Sequence, residues 1–268
     1  MLSKNSVRQD IVKPGMIILK TQKEIEIMRE ANLIVAEILE NIGERIAPGI
    51  TTAELDNLAE RLIQKAGATS AFKGYRMRNQ KPYPANICSS INEEVVHGIP
   101  GPKRLKDGDI VSVDVGVICK GFVGDAARTF PVGIISETAE KLLSVTRESL
   151  YKGIEKAIPG NRLFDISAAI QAHVESNGFN VVRDFVGHGI GRNMHEPPQI
   201  PNYAGTGSNP RLKVGMVLAL EPMVNEGTWR IRLLADQWTA VTADGKLSAH
   251  FDHSIAITDD GPYILSEL

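Results

Sequence analysis

Residues 109–135 read DIVSVDVGVICKGFVGDAARTFPVGII. Two runs of alternating apolar residues flank Lys120-Gly121, a pattern that predicts an antiparallel hairpin. Asp114 lies on one arm and Asp125 on the other. A four-residue loop, Ile118 to Gly121, would pair Val117 with Phe122 and set Asp114 directly across from Asp125. Directly opposed residues have Cβ atoms about 4.5–5.5 Å apart, and like charges there are destabilising. Such a pair calls for a shared proton, a basic neighbour or a cation, unless the register slips and one Asp faces water.

Helical sequence precedes the hairpin. Residues 22–45 carry Ile25, Met28, Ile34, Val35, Ile38, Leu39 and Ile42 at helical spacing. Residues 47–67 follow, with Thr51 and Glu54 at capping-box spacing and Leu55, Leu58 and Leu62 as a stripe. The pattern returns after the hairpin over 136–157 and 158–178. Pro48-Gly49 and Gly67 map onto Pro159-Gly160 and Gly178 at one offset of 111 residues, which favours two similar halves over chance recurrence. Strand-like runs follow at 181–191, 215–224, 237–243 and 250–258. Helices followed by antiparallel strands predict an α+β fold rather than a doubly wound parallel sheet. No glycine loop of the phosphate-cradling kind follows a strand, which argues against a nucleotide enzyme.

The chain has 268 residues, 43% hydrophobic and 23% charged, enough to bury a core without covalent staples. A net charge of -2 gives no global field for nucleic acid or an acidic membrane. Cys88 and Cys119 are the two cysteines, which fit a reducing cytosol better than a disulfide framework. No apolar run reaches membrane-spanning length. Residues 1–15 are polar, without a signal-peptide core, and read as a tail or arm; 16–268 read as one domain, with halves of about 16–135 and 136–268.

Further chemistry-bearing residues lie outside the hairpin. GHGIGRNMHEPP (187–198) holds His188 and His195 among glycines that permit close backbone approach. Glu221 ends the apolar run in LALEPMV (218–224), where a buried carboxylate needs a partner. INEEVVHGIPG (91–101) brings His97. In LSAHFDHSIA (247–256), strand alternation puts His250 and Asp252 on one face and Phe251 and His253 on the other. Asp114, Asp125, Glu221 and Asp252 supply four negative charges, which would balance two divalent cations, with His188 as a neutral extra donor. Oxygen-rich sites of this kind suit Mn, Fe or Co, and a dinuclear pair suits hydrolysis.

These motifs, in this order, resemble the type I methionine aminopeptidases, from MIILKTQKEIEIMREA at 16–31 through SSINEEVVHGIPG, DIVSVDVGV, GDAARTF, GHGIGRNMHEPP and LALEPMV to the final strand. The resemblance implies the pita-bread fold, two pseudo-symmetric halves around a curved antiparallel sheet. It implies removal of the initiator methionine from nascent proteins and peptides by attack of a metal-bridging hydroxide on the scissile carbonyl. By motif, Asp114, Asp125, His188, Glu221 and Asp252 would ligate two divalent ions (Co, Mn, Fe, Zn or Ni), with Asp125 shared. Glu221 would act as general base, His195 would stabilise the carbonyl oxygen, and His97 would hydrogen-bond the substrate. Phe72, Tyr75, Tyr83, Cys88, Met194 and Trp238 would line the methionine pocket. The family also implies a cytoplasmic monomer whose substrates carry a small second residue, with contact to the ribosome and neither nucleic-acid specificity nor membrane attachment.

Departures from the family pattern are informative. Asp252 stands where the family carries glutamate, and the missing methylene shortens its reach by roughly one C–C bond, about 1.5 Å. His250 stands for the usual Gln, on the same face, placed to support the shorter carboxylate or approach a metal. Met194 replaces the usual Phe, and the loop at 76–82 is longer than usual. Two other readings compete: a binding protein with a weakened metal site, and a proline dipeptidase of the same fold.

Overall fold

The computed structural model describes residues 16–76, 81–205 and 207–268. The expected arm at 1–15 and most of the loop at 76–82 therefore lie outside the described residues. Helices α1 (Gln22–Gly43) and α2 (Thr52–Lys65) lead into β1 (Thr69–Ser70), β2 (Ile87–Ile91), β3 (Glu94–Val96), β4 (Ile110–Cys119) and β5 (Phe122–Pro131). Helices α3 (Glu137–Ile154) and α4 (Leu163–Ser176) then precede β6 (Asn180–Val181), β7 (Gly187–Gly189), β8 (Glu196–Ile200), β9 (Val217–Leu220) and β10 (Met223–Asn225). The chain finishes with β11 (Ile231–Leu233), β12 (Ala240–Thr242), β13 (Ser248–His250), β14 (Asp252–Thr258) and β15 (Gly261–Ile264). This is the expected α+β order.

The helices begin where the sequence signals. Thr21 and Glu24 close a capping box on α1, and Thr51 and Glu54 close another on α2. The main sheet runs β1-β4-β5-β14-β9-β7-β8, with β2 also on β4 and β15 also on β14. Its pairings are antiparallel, and the sheet curls into half a barrel. Val35, Ile38 and Leu39 of α1 and Leu55 and Ile63 of α2 pack on Val111, Val113, Val115 and Val117 of β4. Leu142 and Leu150 of α3 and Ile166 and Ile170 of α4 pack on Leu218, Leu220 and Ile255. Both helix pairs thus cover one face of the sheet and leave the other for chemistry.

The hairpin register differs from expectation. Lys120 and Gly121, with φ of 49° and 77°, form the turn by themselves, and Cys119 pairs with Phe122. Positive φ at both central residues gives a turn whose twist matches the strands it joins, so it displaces the longer loop. Asp114 consequently faces Ala127, and Asp125 faces Gly116. A slip of two residues preserves the face of every side chain, so the two Asp residues become diagonal neighbours rather than an opposed pair.

The run around Asp252 is also broken rather than continuous. Met223 pairs with His250 in one sheet, and Ala127 pairs with Asp252 in another. Phe251 sits between them, buried in the α3–α4 core. The expected alternation survives the break. His250 and Asp252 line one cavity, while Phe251 and His253 line a cleft on the helix side of the sheet, which Asp252 also borders.

Candidate active site

Sheet register assembles the acidic residues. Asp114 lies opposite Ala127, and Ala127 opposite Asp252, forming one row across β4, β5 and β14. Asp125 precedes Ala127 by two and shares its face. The β14–β9 pairing of His253 with Leu220 brings Glu221, just past β9, beside Asp252. His188 pairs with Ala219, two before Glu221, so its side chain projects the same way.

All five border one cavity of about 150 Å³. His97, His195 and His250 border it as well. Its apolar wall includes Phe72, Tyr75, Tyr83, Cys88, Met194 and Trp238. The structure therefore brings every candidate residue to one place. Tyr83 and Trp238 meet edge to face at 5.2 Å, and the Tyr83 hydroxyl donates to the Gly98 carbonyl at 2.8 Å. Gly116 makes room for this wall: a Cβ there would lie 2.7 Å from both Met194 Cε and Phe72 Cε1.

Sequence reasoning missed Val96, Phe185, Val186 and Met223, which also line the cavity. Phe185 meets His97 edge to face at 5.2 Å. Phe185 and Val186 immediately precede Gly187-His188, and that adjacency was the available signal. His97 itself has φ of 61°, a left-handed backbone uncommon for a non-glycine residue.

Hydrogen bonds orient the key groups. The Nδ1 of His188 lies 3.0 Å from the Gly189 carbonyl, which can only accept, so Nδ1 carries the proton. The Nε2 lone pair then faces Glu221 Oε1 at 3.3 Å and Asp125 Oδ2 at 3.8 Å. The Nδ1 of His195 lies 2.7 Å from the Tyr75 hydroxyl. The backbone N–H of Asp125 donates to Asn32 Oδ1 at 3.1 Å, so α1 fixes that residue from behind. Asn202 Nδ2 donates to the Glu221 carbonyl at 3.0 Å.

Electrostatics report how crowded the acids are. Burial, then repulsion from Asp125, raises Asp114 well above the usual carboxylate range. Burial raises Asp125 to about 7. Burial, then Asp125 and Asp114, raises Glu221; burial, then Asp125, Glu221 and Asp114, raises Asp252. Burial lowers His188 to about 3, aided by His195, and lowers His97 to about 4, again aided by His195. The imidazoles are thus neutral donors or acceptors, and the carboxylates lack a positive partner from the protein.

Among the described residues, no three His, Cys, Asp or Glu side chains are already drawn into a finished metal cage. The donor chemistry nevertheless fits cations. Asp114 Oδ1, Asp125 Oδ1, Asp252 Oδ1 and His250 Nε2 are buried without hydrogen-bond partners. Buried polar atoms are ordinarily paired, and a divalent ion would satisfy several of these at once.

Metallopeptidase family M24 matches residues 26–259. The chain belongs to that family. Within M24, it is 57% identical over 251 residues to a methionine aminopeptidase of Clostridium perfringens, covering 94% of this chain and 99% of that protein. It is 55% identical over 253 residues to methionine aminopeptidase 1 of Bacillus subtilis, covering 94% of this chain and 100% of the relative. The crystal structure of methionine aminopeptidase from Thermotoga maritima superposes with a TM-score of 0.91 at 49% identity, covering 94% of this chain and all of that one. This M24 chain has the type I pattern and the pita-bread fold that its motifs implied.

Proposed function

We propose that this chain removes the N-terminal methionine from nascent polypeptides and peptides by metal-dependent hydrolysis. The observation that carries the reading is one cavity lined by four carboxylates, His188 and an apolar wall. Phe72, Tyr75, Tyr83, Cys88, Met194 and Trp238 receive the methionine side chain, and their polarisable lining suits a thioether. His97, neutral at working pH, hydrogen-bonds the substrate near the scissile amide. His195, steadied by Tyr75, donates to the carbonyl oxygen as negative charge develops there. Glu221 takes the proton of the attacking water and passes it to the departing amine.

Asp114, Asp125, His188, Glu221 and Asp252 are the residues to hold two divalent cations, with Co, Mn, Fe, Zn and Ni as candidates; their oxygen-rich set favours Mn, Fe or Co. When bound, such ions polarise a carbonyl and ease deprotonation of water. His250 lines the same cavity as Asp252, and its unpartnered Nε2 would be available to support the shorter carboxylate when a cation is held. The setting we propose is a cytoplasmic monomer acting near the ribosome on chains with a small second residue, with 16–268 as one unit of two related halves. Each end of α4 follows the matching end of α2 by the same offset as the punctuating glycines, which supports those halves.

Manganese- or cobalt-loaded protein should hydrolyse Met-Ala-Ser far faster than Leu-Ala-Ser and leave X-Pro dipeptides intact. Absence of metal-dependent methionine release would overturn the proposal; X-Pro turnover would favour the dipeptidase reading. Asp252 favours the binding-protein alternative, which needs neither His97 nor His195 in the cavity. Tight peptide binding without bound metal or turnover would support that alternative.

A further inference from the structure

The segment joining β7 to β8 carries Met194 and His195, and a buried ion pair lies beneath it. Lys20 Nζ is 2.6 Å from Glu196 Oε2, and both side chains are 5% exposed. The other oxygen, Oε1, accepts the backbone N–H of Asn193 at 3.2 Å. One carboxylate therefore closes a ring on its own chain, with Met194 and His195 inside it.

Lys20 is held in turn. Its backbone N–H donates to the Gly215 carbonyl at 2.7 Å, and its Nζ also donates to the Ile18 carbonyl at 3.2 Å. Its neighbour Thr21 caps α1. Gly191 packs against the pair so closely that a Cβ there would lie 2.6 Å from both Glu196 Oε1 and Lys20 Cε. Neither Lys20 nor Glu196 lines the cavity, so either acts on the reaction only through the segment between them. Buried ion pairs contribute little net stability compared with apolar replacements of similar volume, whereas removing one partner strands a charge. Fixed geometry is what this pair supplies.

We propose that the Lys20–Glu196 pair is a positioning clamp that sets His195 and Met194 against the cavity. Its catalytic consequence rests on the function proposed above. The test compares the parent with Lys20→Met, Glu196→Gln and the double variant Lys20→Met/Glu196→Gln. Each single variant strands a charge and should melt at a lower temperature. The double variant strands none and should recover most of that loss.

The clamp predicts that the double variant, although refolded, keeps a kcat on Met-Ala-Ser reduced about tenfold or more, since small misplacements of reacting groups are costly. It also predicts that amides of 190–196 exchange about tenfold faster than in the parent, with α1 unchanged. Recovery of melting temperature, kcat and exchange together would overturn the clamp and leave a purely structural pair. A lowered kcat with parent-like exchange would overturn it too. The exchange arm needs no turnover: if exchange responds while the parent releases no methionine, the proposed function fails and the tether to the segment stands.

Discussion

Asp252 concentrates the residue-scale argument. Its Oδ1 is buried without a partner, Glu221 stands next to it across the strands, and it is one methylene short of the residue its family pattern implies. Asp252→Glu should tighten binding of the weaker cation in calorimetric titration and leave methionine release intact. Loss of metal in that variant would show that the site is built around the shorter side chain. The cysteines make a second test. Cys88 is buried, and burial followed by Asp114 pushes its thiol well up, while Cys119 is partly exposed beside the turn. Iodoacetamide followed by mass spectrometry should find Cys119 modified first and Cys88 spared until the protein unfolds. The donors were legible because each sits on a strand or strand end where alternation fixes its face. Phe185 and the Lys20–Glu196 pair were not, because their partners are remote in sequence and no periodicity links them.

At the scale of elements, α1 lies hard against the hairpin. A Cβ on Gly124 would come within 2.6–2.7 Å of the α1 backbone at Ala31 and Asn32. Gly124→Ala must push α1 outward, and α1 carries the Asn32 amide that holds Asp125. The overlap should destabilise the protein by about 1–3 kcal/mol and weaken metal retention, which thermal melts and metal analysis would check. The Thr51–Glu54 capping box and the apolar stripes located α1 and α2, since their signals are local. The turn gave way to a tighter one, and the strand at 247–256 broke, because register and kinks answer to partner strands. Both errors left the functional face intact, since a two-residue slip and a retained alternation each conserve side-chain direction.

At the scale of the whole molecule, segments far apart in sequence build one cavity between the α1–α2 and α3–α4 halves of the sheet. Four carboxylates crowded into one cavity, two of them buried and none with a cationic partner among the described residues, make the apoprotein a receptor for cations. Divalent metal should raise the melting temperature, by an amount equivalent to about 2.7 kcal/mol at a hundred times its Kd, and a chelator should reverse the shift. An unchanged melting curve would count against ligation by these residues. Among the described residues, no helix is long and apolar enough to cross a membrane. The row Asp114–Ala127–Asp252 also imposes an order in time. The hairpin can form from local sequence, but β14 must wait for chain made much later, and such non-local pairing is intrinsically slow. A partly synthesised copy that ends before β14 therefore lacks part of the acidic set. Competence to cut arrives only when the sheet closes, so an unfinished copy carries no working blade among the unfinished chains it is to trim.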